Sequence, residues 1–422
     1  MSLVLDSSFK GFPRTAAPVA ASEIAAAGWN VLAGDLPLPL ALIKRDALAH
    51  NIAWMQQQVR AWGIDLAPHG KTTMSPQLFR RQLDAGAWGL TFATVTQLAV
   101  GVAAGARRTV IANQVFGDDD LAGIQALLRA NAGLRIVFLV DSIAQLALIE
   151  AWFAAHAGSV PFEVMLEIGI AGGRTGCRTH DEAATLGRHL HASAAVQLVG
   201  IECYEGLGIQ GNTEADAPHA AALMDRVEAV ARLCDAERLF DTDEVLVSAG
   251  GSAIFDLVAT RLKPNLARPV RGLLRSGCYV THDHGFYKRL VKVVNERCGC
   301  DDTLRSALEV WAAVQSRPEP GLAILTVGRR DISFDIEMPI PFARAARGAL
   351  SASDVPASWK VTGLNDQHAY LRWDAADESI APQVGERIGL GISHPCTTFD
   401  KWRWMPIVDD EYRVVDAVAT HF

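Results

Sequence analysis

Short runs of β-branched and aromatic residues, separated by segments of helical composition, recur between residues 66 and 281 of this chain, and that alternation constrains the fold more than any other feature. The runs fall at 66–70, 89–94, 108–113, 135–141, 162–168, 196–204, 244–250 and 272–281. Between them lie alanine- and leucine-rich stretches at 76–85, 120–130, 143–156, 181–191 and 216–236, whose composition favours helix. An amphipathic helix, with Leu48, Ile52, Met55 and Val59 at helical spacing, precedes the first run. Strands that alternate with crossover helices pair in parallel, and eight such units close a (β/α)8 barrel of about 250 residues. The same alternation also admits an open, doubly wound sheet.

The flanks read differently. Residues 36–43 are extended and interrupted by proline, and after about residue 285 strand-like runs at 291–294, 322–327, 332–336, 368–373, 387–392 and 412–418 follow one another with little helix between. The expected organisation is a barrel over 41–284 and a mostly antiparallel β domain built from 1–40 plus 285–422.

Composition narrows the function. Lys plus Arg number 39 against 47 Asp plus Glu, a net charge of -8, so there is no basic excess for nucleic acid. The N-terminus has no cationic region ahead of an apolar segment, and no stretch approaches a membrane span, so a cytoplasmic protein that engages no membrane is expected. Seven cysteines, an odd count scattered over 422 residues, suit reduced thiols better than a disulfide framework. Cys298-Gly299-Cys300 is too short to close a tetrahedral metal site alone.

Candidate chemistry gathers where a barrel places it, just past the strand ends. Lys71 sits on a strand-to-helix turn after the first run, where an amine in a partly desolvated pocket can form an imine. After the seventh run, Ser248-Ala249-Gly250-Gly251-Ser252 offers close-approach amides and hydroxyls for one phosphate. Arg174 lies in a glycine-rich loop after the fifth strand counted from residue 66, where its donor fork suits a phenolate or a carboxylate. Tyr204 with Glu205, and Tyr279, mark two further strand ends. Far downstream, His394 and Cys396 stand two apart, which on a strand would turn imidazole and thiol to one face and toward a borderline metal such as zinc. Two ligands leave positions open, as a catalytic metal requires. His282-Asp283-His284 is a rival cluster.

Taken in order, Pro68-His69-Gly70-Lys71-Thr72, Arg174-Thr175-Gly176, Tyr204-Glu205-Gly206, Ser248-Ala249-Gly250-Gly251 and His394-Pro395-Cys396 resemble the D-serine dehydratase and D-threonine aldolase family, over about residues 37–415. The resemblance implies an alanine-racemase-like barrel with a β domain, pyridoxal 5'-phosphate as cofactor, and a homodimer acting on a small D-amino acid. It implies Lys71 as the residue that holds the cofactor covalently, Gly250 and Gly251 at its phosphate, Arg174 near its ring, and His69, Tyr204, Ser248 and Tyr279 as further cofactor contacts. It also implies His394 and Cys396 as ligands of a divalent metal. Members that are aldolases resemble one another in an aspartate at the second metal position, and dehydratases in a cysteine. Cys396 thus points to the dehydratase branch and, through its soft sulfur, to zinc. The expected reaction is loss of water from a D-3-hydroxy amino acid such as D-serine, giving a 2-oxo acid and ammonia. A D-threonine aldolase or a racemase would use the same lysine, and a non-catalytic pyridoxal-phosphate carrier would lack the β domain. D-serine, D-threonine and 3-hydroxyaspartate stay open as substrates.

Overall fold

The computed structural model describes residues 4–251, 253–299 and 301–422. Met1, Ser2 and Leu3, the loop residue Ser252 and the thiol Cys300 lie outside the described residues.

Eight parallel strands follow one another in space as in sequence: Asp65–Leu66, Leu90–Phe92, Arg108–Gln114, Arg135–Val140, Phe162–Ile168, Val196–Cys203, Val245–Ala249 and Val270–Leu274. The last pairs with the first through Leu273 and Asp65. The first reaches the second through a parallel bridge between His69 and Thr91 and through the Trp88 and Thr91 amides, which donate to Leu66 and Pro68 carbonyls at 2.8 Å. The sheet therefore closes, and the open doubly wound alternative falls. Helices Pro76–Asp84, Asp118–Ala130, Ile143–Ala155, His180–Ala192 and Thr213–Ala236 lie where composition places them; Val95–Ala103 and the short Phe255–Ala259 complete the ring.

The barrel interior is packed, with Ala67, Val110, Val137, Met165, Val199, Leu246 and Leu273 forming one buried cluster. Side chains alternate along a strand, so the next inward step from Ala67, Val110, Met165, Leu246 and Leu273 is His69, Ala112, Glu167, Ser248 and Arg275. A ring that is polar except at Ala112 thus caps an apolar floor at the carboxyl ends. The sixth strand departs from this parity: its pairing shifts from Leu198 to Gly200 across one step of its neighbour, a bulge that turns Glu202, rather than a residue two on from Val199, toward the axis.

The antiparallel sheet runs in the order Ser353–Asp354, Ile340–Ala345, Arg387–Gly391, Leu308–Glu319, Leu322–Leu325, Ala369–Arg372, Lys360–Leu364. Leu40–Lys44 pairs with Leu308–Glu319 and with Trp404–Val408, which in turn pairs with Val414–Ala419. The N-terminal segment packs on this sheet: Phe12 meets Trp404 edge-on at 6.0 Å, and Lys10 stands 3.7 Å over the Trp402 ring. We propose the division into a barrel over 41–284 and a β domain of 1–40 plus 285–422, with Leu40–Lys44 as the seam. Fully buried Trp311 anchors the sheet between Phe342 and Tyr412, and truncating such a core aromatic costs about 3–5 kcal/mol.

Two strand expectations fail. Residues 291–294 lie within helix Phe286–Cys298, burying Leu290, Val291 and Val294 on one face, and residues 332–336 form no strand. No helix among the described residues is long and apolar enough to cross a membrane.

Candidate active site

Strand Asp65–Leu66 runs on through Ala67-Pro68-His69, where Pro68 offers no amide to the ladder, and the chain then folds into a tight turn, Gly70–Thr72, before helix Pro76–Asp84. Gly70 is required: a Cβ there would come within 2.5 Å of the Phe92 ring. Lys71 is exposed from this turn into a cavity of about 390 Å3 at the carboxyl end of the barrel. Lining the same cavity are His69, Thr72, Arg174, Tyr204 and Gly250 from the barrel, and His394 and Cys396 from the β domain. Seven of the ten residues singled out by sequence therefore converge. A larger groove, about 1070 Å3, between helices Pro76–Asp84 and Val95–Ala103 holds none of them.

The other three sit apart from the lining. Tyr279 is buried with its hydroxyl accepting from Gln82 at 2.9 Å. Ser248 is buried and donates to the Leu273 carbonyl at 3.0 Å, while accepting from Arg275. Gly251 lies just behind Gly250, at φ +69°, where a Cβ would strike Leu274.

Arg174 is presented by a braced loop. The Arg178 guanidinium donates to the carbonyls of Gly173, Arg174, Thr175 and Gly176, and Thr175 donates to Glu167 at 2.7 Å. The Arg174 guanidinium stands 5.0 Å over the Tyr204 ring. Deeper in the cavity, Arg275 and Glu202 form an ion pair with side chains only 3% and 1% exposed. Burial pushes the Glu202 carboxyl up to about 8 against the pull of Arg275. Arg275 Nε, the second Glu202 oxygen and His69 Nδ1 have no partner, although each is buried. Burial, helped by the nearby Lys71 and Arg275 charges, holds the His69 imidazole well below its usual range, hence neutral.

These features suit pyridoxal phosphate. The successive amides of Gly250 and Gly251 both donate to the Glu205 carboxylate, which here stands in for an anionic group in a backbone nest. The unpartnered His69 and Arg275 nitrogens are polar atoms awaiting a ligand in the same cavity.

His394 and Cys396 do not occupy a strand, contrary to the expectation. Strand Arg387–Gly391 ends before them, Pro395 adopts helical angles, and Cys396 opens the turn Cys396–Phe399. What brings them together is a web of side chains. Asp335 accepts from Thr397 at 2.7 Å and lies 2.5 Å from His394 Nδ1, so the second ring nitrogen is left for a metal. Cys396 Sγ lies 3.4 Å from Thr72 Oγ1, beside Lys71, and 3.7 Å from Cys278 Sγ. The hydrogen bond from Cys278, with those from His394 and Thr72, holds the Cys396 thiol well below its usual range, so sulfur is available as thiolate. Burial alone would lower the His394 imidazole, but the Cys396 thiolate and Asp335 outweigh it and hold it at about 9. An imidazole and a thiolate form a fitting donor pair for a borderline divalent ion.

The rival cluster is used structurally. Asp283 caps helix Phe286–Cys298 by accepting from the amides of Gly285, Tyr287 and Lys288, and His284 stacks on Phe342 at 4.9 Å. Sequence reasoning passed over Glu202, Arg275, Asp335 and Cys278. Arg275 was within reach, because it lies two residues past an interior leucine on a strand.

Residues 43–269 match the alanine racemase N-terminal domain, and residues 307–408 the putative serine dehydratase domain. The chain is 30% identical over 374 residues to D-threo-3-hydroxyaspartate dehydratase of Delftia sp. (strain HT23), covering 86% of this chain and 92% of that protein. It is 25% identical over 379 residues to a D-threonine aldolase of Arthrobacter sp., covering 88% and 91%. Among solved structures, D-threonine aldolase from Filomicrobium marinum superposes with a TM-score of 0.76 at 24% identity, over 92% of this chain and 95% of that one, a likeness of fold. With both domains matched and the likeness extending over most of its length, the chain belongs to the D-serine dehydratase and D-threonine aldolase family, a family of pyridoxal-phosphate-dependent lyases.

Proposed function

We propose that this chain is a metal-dependent dehydratase of D-3-hydroxy amino acids, with D-serine as a substrate and zinc as the metal. The observation that carries the reading is the meeting of His394 and the Cys396 thiolate with Thr72 and Lys71 in one cavity.

Lys71 provides the amine that attaches the cofactor, and after release it is the base placed to take the α-proton. Bound pyridoxal phosphate supplies an electron sink for the pair left when the α C–H bond breaks. Gly250 and Gly251 would hold the phosphate with the amides that now donate to Glu205, and Arg174 would offer its donors to the ring substituents. The Arg275–Glu202 pair anchors the floor of the cavity beneath them. A divalent ion, which His394 and Cys396 would hold, would supply Lewis acidity toward a β-hydroxyl leaving group. Asp335 holds the imidazole through Nδ1, which would leave the other ring nitrogen free to bind that ion. The role of a homodimer as the active form belongs to the same proposal, and sedimentation would test it.

A panel of D-serine, D-threonine and D-threo-3-hydroxyaspartate, assayed in parallel for ammonia and for glycine, tests the reaction class. Elimination gives ammonia and a 2-oxo acid; an aldolase would give glycine and an aldehyde, and glycine as the main product would refute the dehydratase reading.

A further inference from the structure

We infer that Cys278 is a third ligand of the metal, making the centre a two-cysteine, one-histidine site with one position open for the substrate hydroxyl. The inference rests on the proposed metal role of His394 and Cys396.

Cys278 opens the turn Cys278–Val280, four residues past the eighth barrel strand, and its side chain lines the same cavity as His394 and Cys396. Its place is fixed by the backbone before it: a Cβ on Gly277 would come within 2.5 Å of Thr72 Oγ1 and 2.8 Å of the His69 carbonyl, so the strand end is pressed against the Lys71 turn. From there its sulfur reaches to 3.7 Å from Cys396 Sγ. Two sulfurs bound tetrahedrally to one zinc, each at about 2.3 Å, stand about 3.8 Å apart. The thiol pair already has that edge length, whereas a disulfide would need the sulfurs at about 2.0 Å.

The donor count supports the same conclusion. Two protein ligands hold an ion weakly, and four would leave no place for substrate; three with an open position is the usual arrangement of catalytic zinc. A second thiolate also sharpens the choice of zinc over magnesium or manganese, which favour oxygen. Among the described residues no three donors already close around one point, so the bound ion would complete the site. Cys278 comes from the barrel and Cys396 from the β domain, so the ion would fasten the two across the cavity.

Cobalt(II) substituted into the cofactor-loaded enzyme tests this, because thiolate-to-cobalt charge-transfer absorption scales with the number of thiolates bound. Cys278→Ser should lower that absorption per bound cobalt to about half and weaken cobalt retention against a chelator. Cys396→Ser serves as the control. An unchanged band in Cys278→Ser, with the band reduced in Cys396→Ser, would overturn the third ligand while leaving the proposed function standing. No band in the unmodified enzyme would overturn both. Thiol alkylation of the unmodified enzyme, read by mass spectrometry, covers the case in which the serine variant does not fold. Zinc should protect both Cys278 and Cys396; protection of Cys396 alone, or a disulfide joining the two, would refute the inference.

Discussion

The two walls of the cavity are built by opposite means. On the barrel wall, each group rides on the end of a parallel strand and inherits its direction from a closed, packed sheet: His69, Glu202 and Arg275 stand one inward step above an apolar floor. On the β-domain wall, His394 and Cys396 ride on an irregular segment, aimed by side chains such as Asp335, braced in turn by Thr397, and Ser333, Thr72 and Cys278. The difference separates two tasks. In the proposed function the barrel wall would hold the cofactor and the base, while the other wall would supply a leaving-group device that can be altered separately.

That separation can be broken from either side. The largest effect is expected at Lys71→Ala, which should reduce turnover of every substrate by more than about 10^4-fold and abolish the visible absorbance of the bound cofactor. Because Lys71 is exposed, urea denaturation should find its stability unchanged. At Arg275, on the same wall, the cost should appear in stability: Arg275→Ala leaves the buried Glu202 carboxyl without its hydrogen-bond partner and should lose about 1–3 kcal/mol in urea unfolding. A loss below about 1 kcal/mol would mean that the pair is solvated and the floor is not closed.

On the opposite wall, Asp335→Asn should weaken metal binding about 10- to 100-fold in chelator competition while cofactor absorbance and unfolding midpoint stay as they were. Smaller still per step is the effect of acid. In the metal-free protein His394 holds its proton up to about pH 9, and an ion must displace that proton to bind. Affinity should therefore fall as pH drops below 9, by about tenfold per unit for each displaced proton. A flat metal affinity between pH 6 and 9, measured by competition, would remove His394 from the site.

How far the sequence disclosed each wall reflects the same contrast. Alternating strand and helix runs made the barrel legible, and Lys71, His69 and Arg174 with it, because a strand end sets the position and direction of the loop attached to it. Glu202 was hidden by a bulge that reverses strand parity, which no local pattern announces. In the β domain the long strand Leu308–Glu319 escaped notice. Its central Ala312 and Ala313 favour helix, and its partners Leu40–Lys44 and Arg387–Gly391 lie far off in sequence. Residues 291–294 misled in the other direction, since β-branched valines suggest strand while the Asp283 cap and one buried face make helix. Asp335 carries no local signal at all, for its meaning depends on a histidine 59 residues away.

The metal is expected to act on the leaving group and on nothing earlier. Ammonia release from D-serine and from β-chloro-D-alanine should be compared before and after chelation, and again with zinc restored. Chloride leaves without Lewis-acid help, so release from D-serine should fall by orders of magnitude and recover with zinc, while release from β-chloro-D-alanine should change little. Equal losses on both substrates would contradict a metal that works at the hydroxyl.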